Sequence, residues 1–186
     1  MKLALIDNTD SFTYNLVQMF EEAGAEIVIV KKSEQINLTD TADGIVLSPG
    51  PGLPSDFPVM MEVIARHCLN KNILGVCLGH QALSEYFGAE LYRMPFVRHG
   101  IRTKIIHNGN YIYKNIQDDI YVGRYHSWAV SEPLPDCLEV SSRTEDGVVM
   151  SFSHKEYNIT GIQYHPESII TSKGAEILNN WLDSIS

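Results

Sequence analysis

Ile73-Leu74-Gly75-Val76-Cys77-Leu78-Gly79-His80-Gln81-Ala82-Leu83 is the stretch whose reading decides the fold. Ile73 to Val76 is a short apolar run of strand length, whereas Leu78 to Phe87 reads as a helix that Gly88 can close. The change from one to the other falls on a single residue, Cys77, with a glycine two positions away on each side. This is the G-x-[nucleophile]-x-G form of a nucleophile elbow, with cysteine in the reactive place. Small neighbours are needed there because the chain turns sharply from strand into helix and leaves the central residue strained. A strand running straight into a helix in this way is the signature of a parallel α/β sheet.

Working outward toward the N-terminus, the same alternation recurs. Leu3 to Asp7 reads as a buried strand, Ser11 to Glu22 as a helix that Gly24 ends in a left-handed cap, and Glu26 to Val30 as a β-branched strand. Gly44 to Ser48 is a further apolar strand, stopped by Pro49-Gly50-Pro51-Gly52, which can be neither helix nor strand and must turn. Pro58 opens a helix that runs to about Leu69. Toward the C-terminus the pattern changes. Two alternating runs within Ile101 to Ile116 flank Asn108-Gly109, a type I′ hairpin signal, and Val148 to Phe152 and Ile159 to Tyr164 read as strands. Gly174 to Ile185 reads as a closing helix with Ile177, Leu178, Trp181 and Leu182 on one face. The expected fold is α/β in three layers, a mostly parallel central sheet flanked by helices and extended by antiparallel strands in the second half. No linker or repeat divides the chain, so residues 1–186 are expected to form a single domain.

The bulk properties agree and exclude some functions. Hydrophobic residues make up 44% of the chain and charged residues 20%, the mix of an ordinary globular protein. With 23 acidic against 14 basic residues the formal charge is −9, which repels phosphate backbones, so no nucleic-acid partner is expected. Asp7 interrupts the N-terminal apolar run long before it reaches the length of a signal or membrane segment, so a cytoplasmic protein without membrane association is expected. Three widely spaced cysteines, Cys68, Cys77 and Cys137, suit a reducing compartment. No paired Cys or His spacing marks a metal site, and no metal or cofactor is expected.

A free cysteine is among the most buried residue types, and Cys77 taken without its surroundings would be a small core residue. The elbow reverses that reading. At the start of a helix the unpaired N–H groups favour a thiolate, and the N–H of Leu78 can stabilise an oxyanion. A cysteine nucleophile requires a base, and seven histidines are candidates. His165 follows the strand Ile159 to Tyr164 at the edge where α/β sites assemble, Pro166 stiffens the turn, and Glu167 lies close enough to hold the ring nitrogen that faces away from the cysteine. His80, three residues from Cys77, is the rival base. His126 in Tyr125-His126-Ser127-Trp128 is expected to shape the pocket.

Gly75-Val76-Cys77-Leu78-Gly79-His80-Gln81, Gln163-Tyr164-His165-Pro166-Glu167-Ser168 and Leu47-Ser48-Pro49-Gly50-Pro51-Gly52 resemble three signature segments of the triad-type (class I) glutamine amidotransferases. The opening Asp7-Asn8-Thr9-Asp10-Ser11-Phe12-Thr13-Tyr14-Asn15-Leu16 and Arg124-Tyr125-His126-Ser127 narrow the resemblance to the glutaminase subunit, component II, of anthranilate synthase and its relative in aminodeoxychorismate synthesis. The resemblance implies that Cys77 is nucleophile, His165 base and Glu167 its orienting carboxylate, with main-chain N–H groups of Gly52 and Leu78 as oxyanion donors. It also implies that Gly50, Pro51, Gly52, Gln81, Ser127 and Trp128 hold the substrate, L-glutamine, and that a chorismate-binding synthase subunit, component I, receives the ammonia. Thr9 stands where these subunits often carry tyrosine, Trp128 where leucine is common, and Ile101 where a lysine often follows His-Gly. The competing readings are a stand-alone γ-glutamyl hydrolase and a regulatory subunit without catalysis.

Overall fold

In the computed structural model, which describes residues 1–95 and 99–185, one nine-stranded sheet runs through the molecule. Its strands are β1 (Lys2–Ile6), β2 (Glu26–Val30), β3 (Gly44–Leu47), β4 (Asn72–Val76), β6 (Ile101–His107), β7 (Asp119–Arg124), β9 (Leu138–Thr144), β10 (Val149–His154) and β11 (Ile159–Ile162). Two short strands, β5 (Leu91–Arg93) and β8 (Trp128–Val130), pair separately. The helices are α1 (Thr13–Glu22), α2 (Pro58–His67), α3 (Leu78–Tyr86) and α4 (Gly174–Leu182).

The order across the main sheet is β2-β1-β3-β4-β11-β10-β9-β6-β7. The first five strands are mutually parallel and the rest pair antiparallel. The parallel half is apolar on both faces, as a sheet covered by helices on both sides must be. Period-two alternation divides β1 cleanly: Leu3 and Leu5 pack with Leu16, Val17 and Phe20 of α1 and with Ile177, Leu178 and Trp181 of α4. Ala4 and Ile6 pack on the opposite face with Met60, Val63 and Ile64 of α2 and with Leu78, Ala82 and Leu83 of α3. Helix pairs on either side of one sheet give the three expected layers.

Gly24 and Gly88 adopt φ of +88° and +97° beyond the ends of α1 and α3, as their capping positions require. The hairpin expected at Asn108-Gly109 does not form. Gly109 has φ of +78°, but Asn108 is not in the left-handed region, and a type I′ turn needs both. Instead the Asn108 side chain accepts from the Asn110 N–H and Asn110 caps a short 3₁₀ turn, Tyr111–Tyr113. That turn buries Ile112 and Tyr113 beneath α4, whose Asn180 side chain donates to the carbonyls of Ile112 and Lys114. β6 pairs with β7 and β9.

Candidate active site

The site lies where β4 and β11 end. These parallel neighbours run in register, Val76 opposite Ile162, and the N–H of Cys77 donates to the carbonyl of Ile162 at 2.8 Å. Residues 77 and 163 therefore leave the sheet side by side, although 86 positions separate them.

Cys77 is held at φ +51° and ψ −97°, a conformation that a residue with a Cβ adopts only under strain of about 1–3 kcal/mol. The flanking glycines permit it. A Cβ on Gly75 would overlap the carbonyl oxygen of Gly79, and one on Gly79 would lie 2.5 Å from that of Leu47. The helix thus starts pressed against the strands, and Leu78 is its first residue, with an N–H that has no partner one turn back.

His165 is 2% exposed, and its Nδ1 meets Oε1 of Glu167 at 2.6 Å, the ring N–H donating to a carboxylate with no exposed side-chain surface. Its Nε2 is buried without a closed hydrogen bond among the described residues. The backbone fixes the ring from below: the N–H of His165 donates to Gly123 at 3.1 Å, and the hydroxyl of Thr171 donates to the His165 carbonyl at 2.6 Å. Phe12 and Tyr125 confine the ring edge-on, with centroids at 5.3 and 4.9 Å, and the Tyr125 hydroxyl is tied to Ser168. Burial works to lower the pKa of His165. The proximity of Cys77, followed by the hydrogen bond and charge of Glu167, outweighs it and holds the pKa well above its ordinary 6.5. Burial and the two neighbours thus oppose one another at this ring, and the neighbours prevail.

The Pro49-Gly50-Pro51-Gly52 turn closes over this edge. Gly50 packs so tightly that a Cβ would come within 2.5 Å of the Leu78 side chain and 2.8 Å of Asn8. Gly52 stands at φ +73°, and the Asp56 carboxylate next to it accepts the N–H of Leu53 at 2.9 Å. Asn8 anchors the turn's approach by donating to the carbonyl of Ser48 at 2.9 Å. Pro51 is exposed at the rim.

On the other flank, Gln81 is buried and its amide nitrogen donates to the carbonyl of Trp128 at 3.0 Å and to Oε1 of Gln163 at 3.1 Å. The Ser127 carbonyl accepts the N–H of Met94 at 2.8 Å, which fixes this strand end beside the site. His126 backs the wall: its Nδ1 meets the Trp128 carbonyl at 2.8 Å and its Nε2 accepts from the buried Arg124 at 3.1 Å. Burial first, and then the Arg124 charge, lowers its pKa to about 3. His80, the rival base, is fully buried against Phe152 and Gly161, and burial lowers its pKa to about 3 as well.

The structure thus gathers Cys77, His165, Glu167, Leu78, Gln81 and the PGPG turn at one sheet edge, with Ser127 and Trp128 joined to it through Gln81. Sequence reasoning gave no role to Phe12, Thr171 or Gln163. The position of Gln163 could have been inferred only by pairing β11 with β4. Among the described residues no group of three or more His, Cys, Asp or Glu could hold a metal ion.

A strained cysteine at a helix start beside a buried histidine whose ring is bonded to a carboxylate is an arrangement able to support acyl transfer through a covalent intermediate. Comparison with known proteins agrees. Residues 4–185 match the family described as glutamine amidotransferase class-I. The chain is 43% identical to aminodeoxychorismate synthase component 2 of Serratia marcescens, covering 97% of this chain and 99% of that one. It is 44% identical to anthranilate synthase component 2 of Pseudomonas aeruginosa, covering 97% and 94%. The solved structure of a GMP synthase subunit from Thermoplasma acidophilum superposes with a TM-score of 0.90 at 26% identity, over 100% of this chain and 94% of that one. The chain belongs to the class-I glutamine amidotransferase family, and it is a glutamine amidotransferase component.

Proposed function

We propose that this chain is the glutaminase subunit of a two-component synthase, releasing ammonia from L-glutamine and passing it to a subunit that binds chorismate. Cys77 attacks the side-chain carboxamide carbon, and the N–H groups of Gly52 and Leu78 hold the oxyanion of the tetrahedral adduct. His165 gives its proton to the nitrogen, so ammonia departs and a γ-glutamyl thioester remains on Cys77. Water, losing a proton to His165, then adds to the thioester, and collapse releases glutamate and the thiolate. Glu167 keeps the imidazole oriented through both halves. Gly50, Pro51, Gln81, Ser127 and Trp128 hold the substrate. The observation that carries this reading is the buried His165, braced by Glu167 at 2.6 Å and brought beside the strained Cys77 by the pairing of β11 with β4.

Ammonia in neutral water is mostly ammonium and is not a nucleophile, so its transfer needs a sealed path into a partner. The names of the relatives support component I of a chorismate-using synthase as that partner. We take anthranilate synthesis as the first reading. Aminodeoxychorismate synthesis is the second, favoured by the 43% identity to a relative of that name. The continuous sheet supports residues 1–186 as a single domain. Free Cys68, Cys77 and Cys137 fit a reducing, cytoplasmic setting, and no described helix is long and apolar enough to cross a membrane.

The test is Cys77→Ala in the complex with a chorismate-using component I. Product formation from glutamine should vanish while formation from added ammonium salt persists. Loss of both activities in an assembled complex, or retention of the glutamine-dependent one, would overturn the division of labour.

A further inference from the structure

Cys77 has a second polar neighbour besides His165. The side-chain nitrogen of Gln163 lies 3.6 Å from its sulfur, within reach of an N–H···S hydrogen bond. An amide could present either its oxygen or its nitrogen to that sulfur, and the choice matters because a carbonyl oxygen would repel a thiolate whereas an N–H would stabilise it.

The surrounding hydrogen bonds settle the orientation. The Trp128 carbonyl can only accept, so the Gln81 atom 3.0 Å from it must be the amide nitrogen. The second hydrogen of that nitrogen then points at Gln163, which must answer with its oxygen, at 3.1 Å. Gln163 is left with its nitrogen on the Cys77 side. The far end of the network agrees that this carbonyl accepts. Arg124 can only donate, so it turns His126 Nε2 into an acceptor at 3.1 Å and places the ring hydrogen on Nδ1, aimed at Trp128 at 2.8 Å. Rotating the Gln163 amide by half a turn would set nitrogen against nitrogen at Gln81 and oxygen against the sulfur, two unfavourable contacts at once. The backbone cannot shift to relieve them. The N–H of Gln163 donates to the Met150 carbonyl at 2.8 Å, the preceding carbonyl accepts from Cys77 at 2.8 Å, and the residue is fully buried.

We infer that Gln163 is a further catalytic residue, whose amide N–H donates to the Cys77 sulfur and stabilises its thiolate, and that Gln81 sets the polarity of that donor. This rests on the reading of Cys77 as the nucleophile. The bond is strongest when the sulfur carries full charge, which is before attack and again as the thioester collapses. Gln163 therefore acts on the formation and the departure of the thiolate, in a position distinct from the carbonyl oxygen that Gly52 and Leu78 serve. Gln81 has two tasks in consequence, one toward the substrate and one toward the nucleophile's supporting amide.

The test uses the chain assembled with its synthase partner, with Gln163→Met to remove the donor and Gln163→Glu to replace it by a carboxylate of nearly the same shape. The rate of Cys77 alkylation by iodoacetamide at neutral pH is read by peptide mass spectrometry, alongside glutamine-dependent and ammonium-dependent synthesis. A hydrogen bond to a charged group contributes about 1.5–3 kcal/mol, so Gln163→Met should slow both alkylation and the glutamine-dependent kcat by roughly ten- to a hundredfold. Gln163→Glu should slow them at least as much, and ammonium-dependent synthesis should persist in both variants. That last activity separates a local effect from a failure to fold, which would remove the assembled complex. Wild-type rates of alkylation and of glutamine use in either variant would overturn the role of Gln163. Failure of the wild-type chain to alkylate at Cys77 in preference to Cys68 and Cys137 would instead overturn the underlying reading of the nucleophile.

Discussion

Burial acts on every histidine around this site, but its outcome differs from one to the next. At His165 a sulfur and a carboxylate outweigh it and the pKa is raised. At His80 and His126 burial prevails, and each pKa falls from an ordinary 6.5 to about 3. Between those values the unfolded chain binds protons that the native state does not, so stability falls as pH drops below about 6.5. His165 adds nothing to that slope, because its proton is bound in both states below its unfolded pKa, and its own contribution is lost only as pH rises through its elevated native value. Each neutral ring contributes up to about 1.4 kcal/mol per pH unit, or about 2 kcal/mol at pH 5. Urea denaturation followed from neutrality to pH 5 should show this fall, and His80→Leu should remove about 2 kcal/mol of it at pH 5. An unchanged slope in that variant would show that His80 carries its proton in the native state. Separation from Cys77 along the chain does not distinguish them. His80 is nearer to Cys77 in sequence than His165 is, yet it points into the layer between α3 and the sheet.

At the scale of the element, the elbow was the most legible feature, because two glycines around one strained residue permit little else. The physical reason is visible in the distances: Gly79 lets α3 approach the carbonyl of Leu47 to a separation that a methyl group would fill. Gly79→Ala should therefore destabilise the protein by about 1–3 kcal/mol and displace Leu78 and Cys77, lowering glutaminase activity more than stability alone explains. Chemical denaturation with kinetics on the folded fraction checks both parts. A variant of native stability and activity would mean that the elbow tolerates a wider approach. The parallel strands were equally legible, since each is a continuous apolar run between two layers of helix. The antiparallel half was legible in part: its presence and its strand at Val149–His154 were expected, whereas β7 and β9 were not. Asp119–Arg124 and Leu138–Thr144 carry mixed polarity because one side of this half is less completely covered, and Asn108-Gly109 resembled a hairpin until tertiary contacts drew Ile112 and Tyr113 under α4.

At the scale of the whole molecule, the topology does what no local pattern announces. Insertion of β11 beside β4, after the chain has laid down the intervening strands, sets residue 163 next to residue 77 and brings His165 to the same edge. Cys77, His165 and Glu167, proposed above as the triad, stand in motifs readable from the sequence. The supporting amide and the Phe12 wall were not readable, because Gln163 and Phe12 acquire their places only from that register. The proposed chemistry turns on the Cys77 sulfur being the atom that takes the γ-glutamyl group. Incubation with a glutamine analogue carrying an electrophilic ketone, followed by intact-mass and peptide mass spectrometry, tests this directly. The account predicts one adduct per chain, located on Cys77 and abolished by Cys77→Ala; adducts on Cys68 or Cys137 with Cys77 unmodified, in a chain still able to hydrolyse glutamine, would contradict it.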